Sequence, residues 1–172
     1  MSVLVITGSA RRDSYTRRLG EALAAGLPGG VLAPRLTDLP YFDPDLEAAP
    51  PAEVEALRAQ VREADAVVVV TPEYNGTVSG LLGNAVDWLS RPYGAGSLRG
   101  TPAVAVAASP GEVGGARAVV SLRTLLGNTG AEVLGPPITV GGIAGLLDAG
   151  TVDDVVAQVA EALDAVLAAA AA

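Results

Sequence analysis

The chain of 172 residues has no cysteine and no histidine, and its eleven basic residues are all arginine, so it has no lysine either. Without cysteine there is no disulfide, iron–sulfur cluster or thiol nucleophile. Without histidine the commonest general base and zinc ligand are missing, and no metal site is expected. Without lysine the G-x-x-x-x-G-K-[ST] loop of nucleotide hydrolysis is excluded. Aromatics are scarce, with one Phe, one Trp and four Tyr, so the core must be built from Ala, Val and Leu. No apolar run approaches the ~20 residues that span a bilayer. No basic segment followed by a signal-peptide core opens the chain. The net charge of -8 argues against a general nucleic-acid partner. A soluble cytoplasmic protein is expected, and any hard chemistry must be carried by a bound cofactor.

Half of the residues are hydrophobic, and the length suits one α/β domain over 1–172. Val3 to Thr7 is apolar enough for a strand buried on both faces. The pattern predicts a helix from Ser14 to about Ala25, a short strand over Val31 to Leu36, and a turn-rich, proline-rich connection to residue 51. A helix follows over Ala52 to Glu63. Asp65 to Thr71 then holds the strongest strand signal, Ala66-Val67-Val68-Val69-Val70. Ser79 is placed to cap a helix that runs to about Ser90. Thr101 to Ala108 reads as a fourth strand, Ala116 to Leu126 as a helix, and Glu132 to Leu134 as a fifth strand resumed at Ile138 to Val140. Asp153 and Asp154 open a last helix, whose alanine tail over 168–172 is expected to fray.

Alternating β–α units make a doubly wound parallel sheet of five strands, in the order 2-1-3-4-5, with helices on both faces. Ligands in such sheets lie beyond the carboxyl ends of the strands, where the strand order reverses. Three loops at strand ends, 8–16, 72–76 and 109–115, are rich in Gly, Ser, Asn and Tyr. They follow strands one, three and four, which that order makes neighbours. The first loop, Gly8-Ser9-Ala10-Arg11-Arg12-Asp13-Ser14-Tyr15-Thr16, feeds a helix N-terminus, where backbone N–H groups favour an anion. It departs from the G-x-G-x-x-G dinucleotide fingerprint. Plainer roles stand beside these. The first loop could be a serine-capped turn, Tyr74 a packed loop aromatic, Asn75-Gly76 only a turn, and Gly114-Gly115 only a helix start.

Taken together, Gly8-Ser9-x-Arg11-x-x-Ser14-Tyr15-Thr16, Pro72-Glu73-Tyr74-Asn75-Gly76 and Asn84-Ala85-x-Asp87-Trp88-Leu89-Ser90-Arg91 resemble the NADPH-dependent FMN reductase family. Its relatives include chromate and quinone reductases and small azoreductases, on a flavodoxin-like fold. The likeness extends to Asp43-Pro44-Asp45-Leu46 and Gly114-Gly115-x-Arg117-Ala118. It implies that Ser9, Arg11, Ser14, Tyr15 and Thr16 hold the FMN phosphate, with Arg11 making a charge-assisted contact. Main-chain groups of Pro72, Glu73, Tyr74, Asn75 and Gly76 would meet the isoalloxazine edge. Ser109, Gly111 and Gly114 would flank the ring from the other side. NADPH or NADH would give hydride to the flavin, which would pass two electrons to a small-molecule acceptor such as a quinone, azo dye, nitroaromatic, chromate or free flavin. No catalytic side chain is then required.

The family usually associates through the helix of Asp87 and Trp88, which implies a homodimer or homotetramer; those two residues are read as structural. Two positions depart from the family pattern. Gly83 stands where lysine is frequent, and Ser79 where proline is frequent. Neither is expected to carry the phosphate site. The rival functions are a flavodoxin-like electron carrier, a family member that has lost FMN, and a flavin reductase dedicated to a monooxygenase or to one biosynthetic intermediate. Arg12, Arg17 and Arg117 are the candidates for a nicotinamide 2′-phosphate.

Overall fold

A computed structural model of the chain describes residues 2–170. The elements are β1 (Val3–Thr7), α1 (Tyr15–Gly26), β2 (Gly30–Leu32), α2 (Ala52–Glu63), β3 (Ala66–Thr71), α3 (Gly80–Leu89), β4 (Pro102–Ala108), α4 (Ala116–Asn128), β5 (Glu132–Val133), β6 (Ile138–Val140), α5 (Ile143–Ala149) and α6 (Asp153–Ala170). Short 3-10 turns at Leu36–Asp38 and Pro44–Leu46 punctuate the connection from β2 to α2. Every strand pairing is parallel, in the order β2-β1-β3-β4-β5, and β6 also pairs with β4. The fifth place in the sheet is thus filled by two short pieces on one side of β4. This is the flavodoxin-like order, with its reversal between β1 and β3.

Strand alternation divides the core in two. Leu4, Ile6, Val67, Val69 and the alanines at 103, 105 and 107 face α2, α3 and α4. Val3, Val5, Val68, Val70, Val104 and Val106 face α1, α5 and α6. All of β3 is buried, as a central strand covered on both faces should be. Gly20 lets α1 lie close on β1, because a Cβ there would meet Thr7 Cγ2.

Two details differ from the sequence-based expectation. The second strand is only three residues long instead of reaching residue 36. Ala33 N–H still reaches Val5 O at 2.9 Å, but Pro34 has no N–H with which to continue the ladder. Leu36 instead turns into the core. The helix α5 was not foreseen. Its seven residues are bracketed by Gly142 and Gly150, both in the left-handed region (φ 59° and 67°), and glycine on either side masks so short a periodicity. Helix α6 runs through Ala170; of the tail expected to fray, residues 171 and 172 lie outside the described residues.

Trp88 is fully buried and structural, as expected. Its indole Nε1–H donates to Pro40 O at 2.9 Å, and Phe42 meets its ring edge-on at 5.0 Å. Asn84 braces the same segment, accepting Phe42 N–H at 2.7 Å and donating to Pro40 O at 2.9 Å. The buried Arg58 donates from Nε and Nη2 to Trp88 O at 3.2 and 3.0 Å, and from Nη1 to Glu55 at 2.6 Å. It places a positive charge at the C-terminal end of α3, where the helix dipole favours one. Replacing Arg58 with Ala removes these bonds and the packing of its stem, and is expected to cost about 2 kcal/mol. Urea unfolding would register this as a lower midpoint with an unchanged slope.

Candidate functional site

The carboxyl ends of β1, β3 and β4 lie side by side, with Thr7 opposite Val70 and Thr71 opposite Ala107. The loops that leave them therefore meet. The first loop carries three buried hydroxyls, Ser9, Ser14 and Thr16. Ser9 Oγ accepts Arg11 N–H at 3.3 Å, which closes a tight turn. Ser14 caps α1 by accepting Arg17 N–H at 3.2 Å, and its hydroxyl lies 2.9 Å from that of Thr16. The N–H groups of Tyr15 and Thr16, in the first turn of α1, have no intrahelical acceptor. The Arg11 guanidinium lies 4.9 Å from the Tyr15 ring centroid at the rim of the loop.

The second loop is a tight turn. Tyr74 and Thr77 exchange backbone bonds at 3.2 and 3.1 Å. Asn75 and Gly76 between them both have positive φ, 53° and 75°, as a type I′ turn requires. Asn75 is the one non-glycine with positive φ among the described residues. Glu73 turns away toward α4. Its carboxylate accepts the N–H groups of Arg117 and Ala118 at 3.1 and 3.2 Å, and the Arg117 guanidinium at 3.1 and 3.3 Å. These contacts, led by the Ala118 N–H, hold the Glu73 pKa below its ordinary value. Glu73 is thus the cap of α4, supplied from another loop.

The third loop is stitched to β6. Ser109 N–H donates to Val140 O at 3.1 Å, and Gly111 O accepts from Gly114 and Gly142, each at 3.2 Å. A Cβ on Gly114 would come within 2.8 Å of the Val140 backbone. Glycine is therefore required at 114 by the packing of the loop on β6. Gly115, with φ 84°, begins α4.

A cleft of about 260 Å³ lies between the three loops, lined by Ser9, Arg11, Ser14, Tyr15 and Thr16 on one side, by Pro72, Glu73 and Tyr74 on the second, and by Ala108, Ser109 and Pro110 on the third. Of the residues singled out in the sequence, Asn75, Gly76, Gly111 and Gly114 stand off this lining. The first two form the turn and the last two the seam with β6, so the plainer readings of Asn75-Gly76 and Gly114-Gly115 describe their local structure. Ala108 and Pro110 were not singled out. Their only signal is position, at the end of β4 between residues that were. A larger depression, of about 360 Å³, lies near the C-terminal ends of α3 and α4, between Asp87, Arg91 and Arg99. It lies away from the strand ends on which the three loops converge.

Ser79 stands outside the cleft lining but is tied to the first loop: its hydroxyl donates to Gly8 O at 2.5 Å while accepting Leu82 N–H at 3.2 Å as the cap of α3. Glycine at 8 lets the loop lie close on α3, since a Cβ there would sit 2.9 Å from Leu82 Cβ. Read as an N-cap alone, Ser79 gave no sign of its second bond, which spans 71 residues of chain.

The residues fit a flavin mononucleotide. Three buried hydroxyls and an arginine at an open helix start suit a phosphate dianion. Glu73, the one acidic residue in the lining, has its carboxylate engaged by α4 and Arg117. Beyond the phosphate end, Pro72, Tyr74, Ala108 and Pro110 offer mainly apolar walls. A cleft at the reversal point of a flavodoxin-like sheet is where a ligand of this class would sit, and its residues suit a flavoprotein. Residues 1–145 match the family described as NADPH-dependent FMN reductase. A quinone reductase of Escherichia coli K12 is 37% identical over 172 aligned positions, which cover 92% of this chain and 91% of that one. An NAD(P)H-dependent FMN reductase of Pseudomonas aeruginosa is 42% identical over 130 residues, 73% of this chain and 69% of its own. Among solved structures, the flavoenzyme NAD(P)H:(acceptor) oxidoreductase FerB of Paracoccus denitrificans superposes with a TM-score of 0.76 at 32% identity, covering 94% of this chain and 98% of that one. The chain belongs to the NADPH-dependent FMN reductase family, and is an FMN-dependent NAD(P)H oxidoreductase.

The depressed Glu73 pKa has a consequence for stability. A group held more acidic in the folded state stabilises that state above its unfolded pKa and loses the effect as pH falls through its folded pKa. Wild type should therefore be more stable than Glu73→Gln at neutral pH, with the gap closing below ~pH 4. Urea midpoints of the two proteins between pH 7 and pH 3 measure this, and a gap independent of pH would show that the carboxylate charge is idle.

Proposed function

We propose that the chain is a quinone reductase that binds FMN with its phosphate in the first loop and its ring system between the second and third. The observation that carries the reading is the convergence of three buried hydroxyls and Arg11 on the open N-terminus of α1, beside the apolar walls of the same cleft. Bound FMN supplies hydride acceptance from NAD(P)H and two-electron delivery to the acceptor. The protein's own residues do the rest. Ser9, Ser14, Thr16 and Arg11 anchor the phosphate. Main-chain groups of Pro72, Glu73 and Tyr74 would meet the edge of the ring, with Asn75 and Gly76 shaping the turn behind them and Tyr74 half-exposed at the mouth of the cleft. Ser109, Gly111 and Gly114 belong to the opposing loop, with Pro110 and Ala108 toward the cleft. No side-chain acid or base is needed, in keeping with a chain that has no His or Cys. Quinone is the acceptor favoured by the names of the relatives.

Of the arginines considered for a nicotinamide 2′-phosphate, Arg17 is tied to Ala33 O at 2.9 Å and to Glu21 at 3.6 Å, and Arg117 to Glu73 at 3.1 Å. Arg12 is exposed and forms no ion pair among the described residues, so we assign it that role. Association as a homodimer or homotetramer through α3 would use the side of the exposed Asp87, since Trp88 is fully buried within the protomer. No helix among the described residues is long and apolar enough to cross a membrane. A cytoplasmic setting is inferred from the need for NAD(P)H.

The purified protein should be yellow or take up FMN, bleach on mixing with NADPH, and recover its colour with a quinone. Initial rates at several quinone concentrations should give parallel double-reciprocal lines, because donor and acceptor use one face in turn. An electron carrier would not be reduced directly by NADPH. Arg11→Ala combined with Ser14→Ala should weaken FMN binding by roughly 100-fold, the loss of one charge-assisted and one neutral hydrogen bond. Unchanged FMN affinity in that variant would place the phosphate elsewhere.

A further inference from the structure

The bond from Ser79 to Gly8 has a consequence on the far side of the Gly8–Ser9 peptide. Ser79 and Gly8 are both buried, and the hydroxyl donates to Gly8 O at 2.5 Å. The peptide is trans, as no cis bond other than Arg91–Pro92 occurs among the described residues. In a trans peptide the C=O and the following N–H point in opposite directions. With Gly8 O directed at the start of α3, the Ser9 N–H points away from α3, on the side where Ser9 lines the cleft. No described residue accepts that N–H.

We propose that Ser79 is a positioning residue for phosphate binding: by holding Gly8 O toward α3 it fixes the Ser9 N–H as a phosphate donor. This rests on the phosphate lying in the first loop. Without the hydroxyl, Gly8 O becomes a buried acceptor without its partner, which is costly. Gly8 has no Cβ to resist rotation of the peptide. A rotated peptide would turn a carbonyl oxygen toward the phosphate in place of a donor. Thr71 adds a second brace from the same direction, since its hydroxyl lies 3.5 Å from Ser79 N.

The role predicts an effect confined to the phosphate, so riboflavin, which lacks it, is the control. Dissociation constants for FMN and riboflavin are measured by fluorescence quenching in wild type, Ser79→Ala, Ser79→Gly, Ser79→Thr and Ser14→Ala. Glycine keeps most of the helix-capping preference of serine but cannot donate, so it separates the bond to Gly8 O from the start of α3. Ser79→Ala and Ser79→Gly should each weaken FMN about tenfold, as expected for one hydrogen bond to a charged group, and leave riboflavin unchanged. Ser79→Thr should restore wild-type FMN affinity. The proposal is overturned if both non-donating variants keep the wild-type preference for FMN while Ser14→Ala loses it. It is also overturned if they weaken both ligands equally, which would mark Ser79 as a support of the fold alone. The location of the phosphate itself fails separately, if Ser14→Ala also leaves the preference intact.

Discussion

Parallel pairing of β1, β3 and β4 is the constraint from which the site follows. A parallel ladder forces the three strands to end at one edge, and their adjacency at the reversal point leaves no helix crossing between the loops they emit. The register is close, Thr7 beside Val70 and Thr71 beside Ala107, so each loop starts one strand spacing from the next. Everything that distinguishes this cleft is hung on that edge.

Each loop is held from behind, on the side away from the cleft. The first is tied to α3 through Ser79 and Gly8. The second is tied to α4 through the carboxylate of Glu73. The third is bound to β6 through Ser109 and Gly111. These bonds fix where the hydroxyls and main-chain groups at the cleft stand, a form of preorganisation. The chemistry suits a chain without His, Cys or Lys, because the protein contributes position and hydrogen bonds, and the electron transfer belongs to the cofactor.

Much of this architecture could be read from the residues. Valine runs and alternating Ala and Val marked β1, β3 and β4, and the alternation of strands with helices pointed to the order in which they pair. Ser14, Ser79 and the acidic start of α6 marked helix ends through capping chemistry. The three loops stood out because Gly, Ser, Asn and Tyr cluster at strand ends. What escaped was of two kinds. Short pieces lack a period long enough to recognise: α5, enclosed by glycines, and β2, which Pro34 cuts off. Long-range side-chain bonds have no local signal at all. Nothing near Glu73 announces that it will cap a helix more than forty residues on, and Ser79 looks like any N-cap until its hydroxyl is seen on Gly8. The glycines at 8 and 114 are explained by neighbours that only the folded chain supplies, Leu82 and Val140.

The capping of α4 by Glu73 also gives the cleft an electrical direction. Helices α1 and α4 both begin at this edge, and each would attract an anion with its N-terminus. At α4 that attraction is cancelled by a fixed carboxylate lodged on its first N–H groups. At α1 the cap is the neutral hydroxyl of Ser14, and Arg11 in the cleft lining adds to the pull. A long molecule charged at one end therefore meets an attractive pole and a silenced one at the two sides of the cleft. It has a single favourable way round, so heads and tails are sorted before any contact with the flat walls is made.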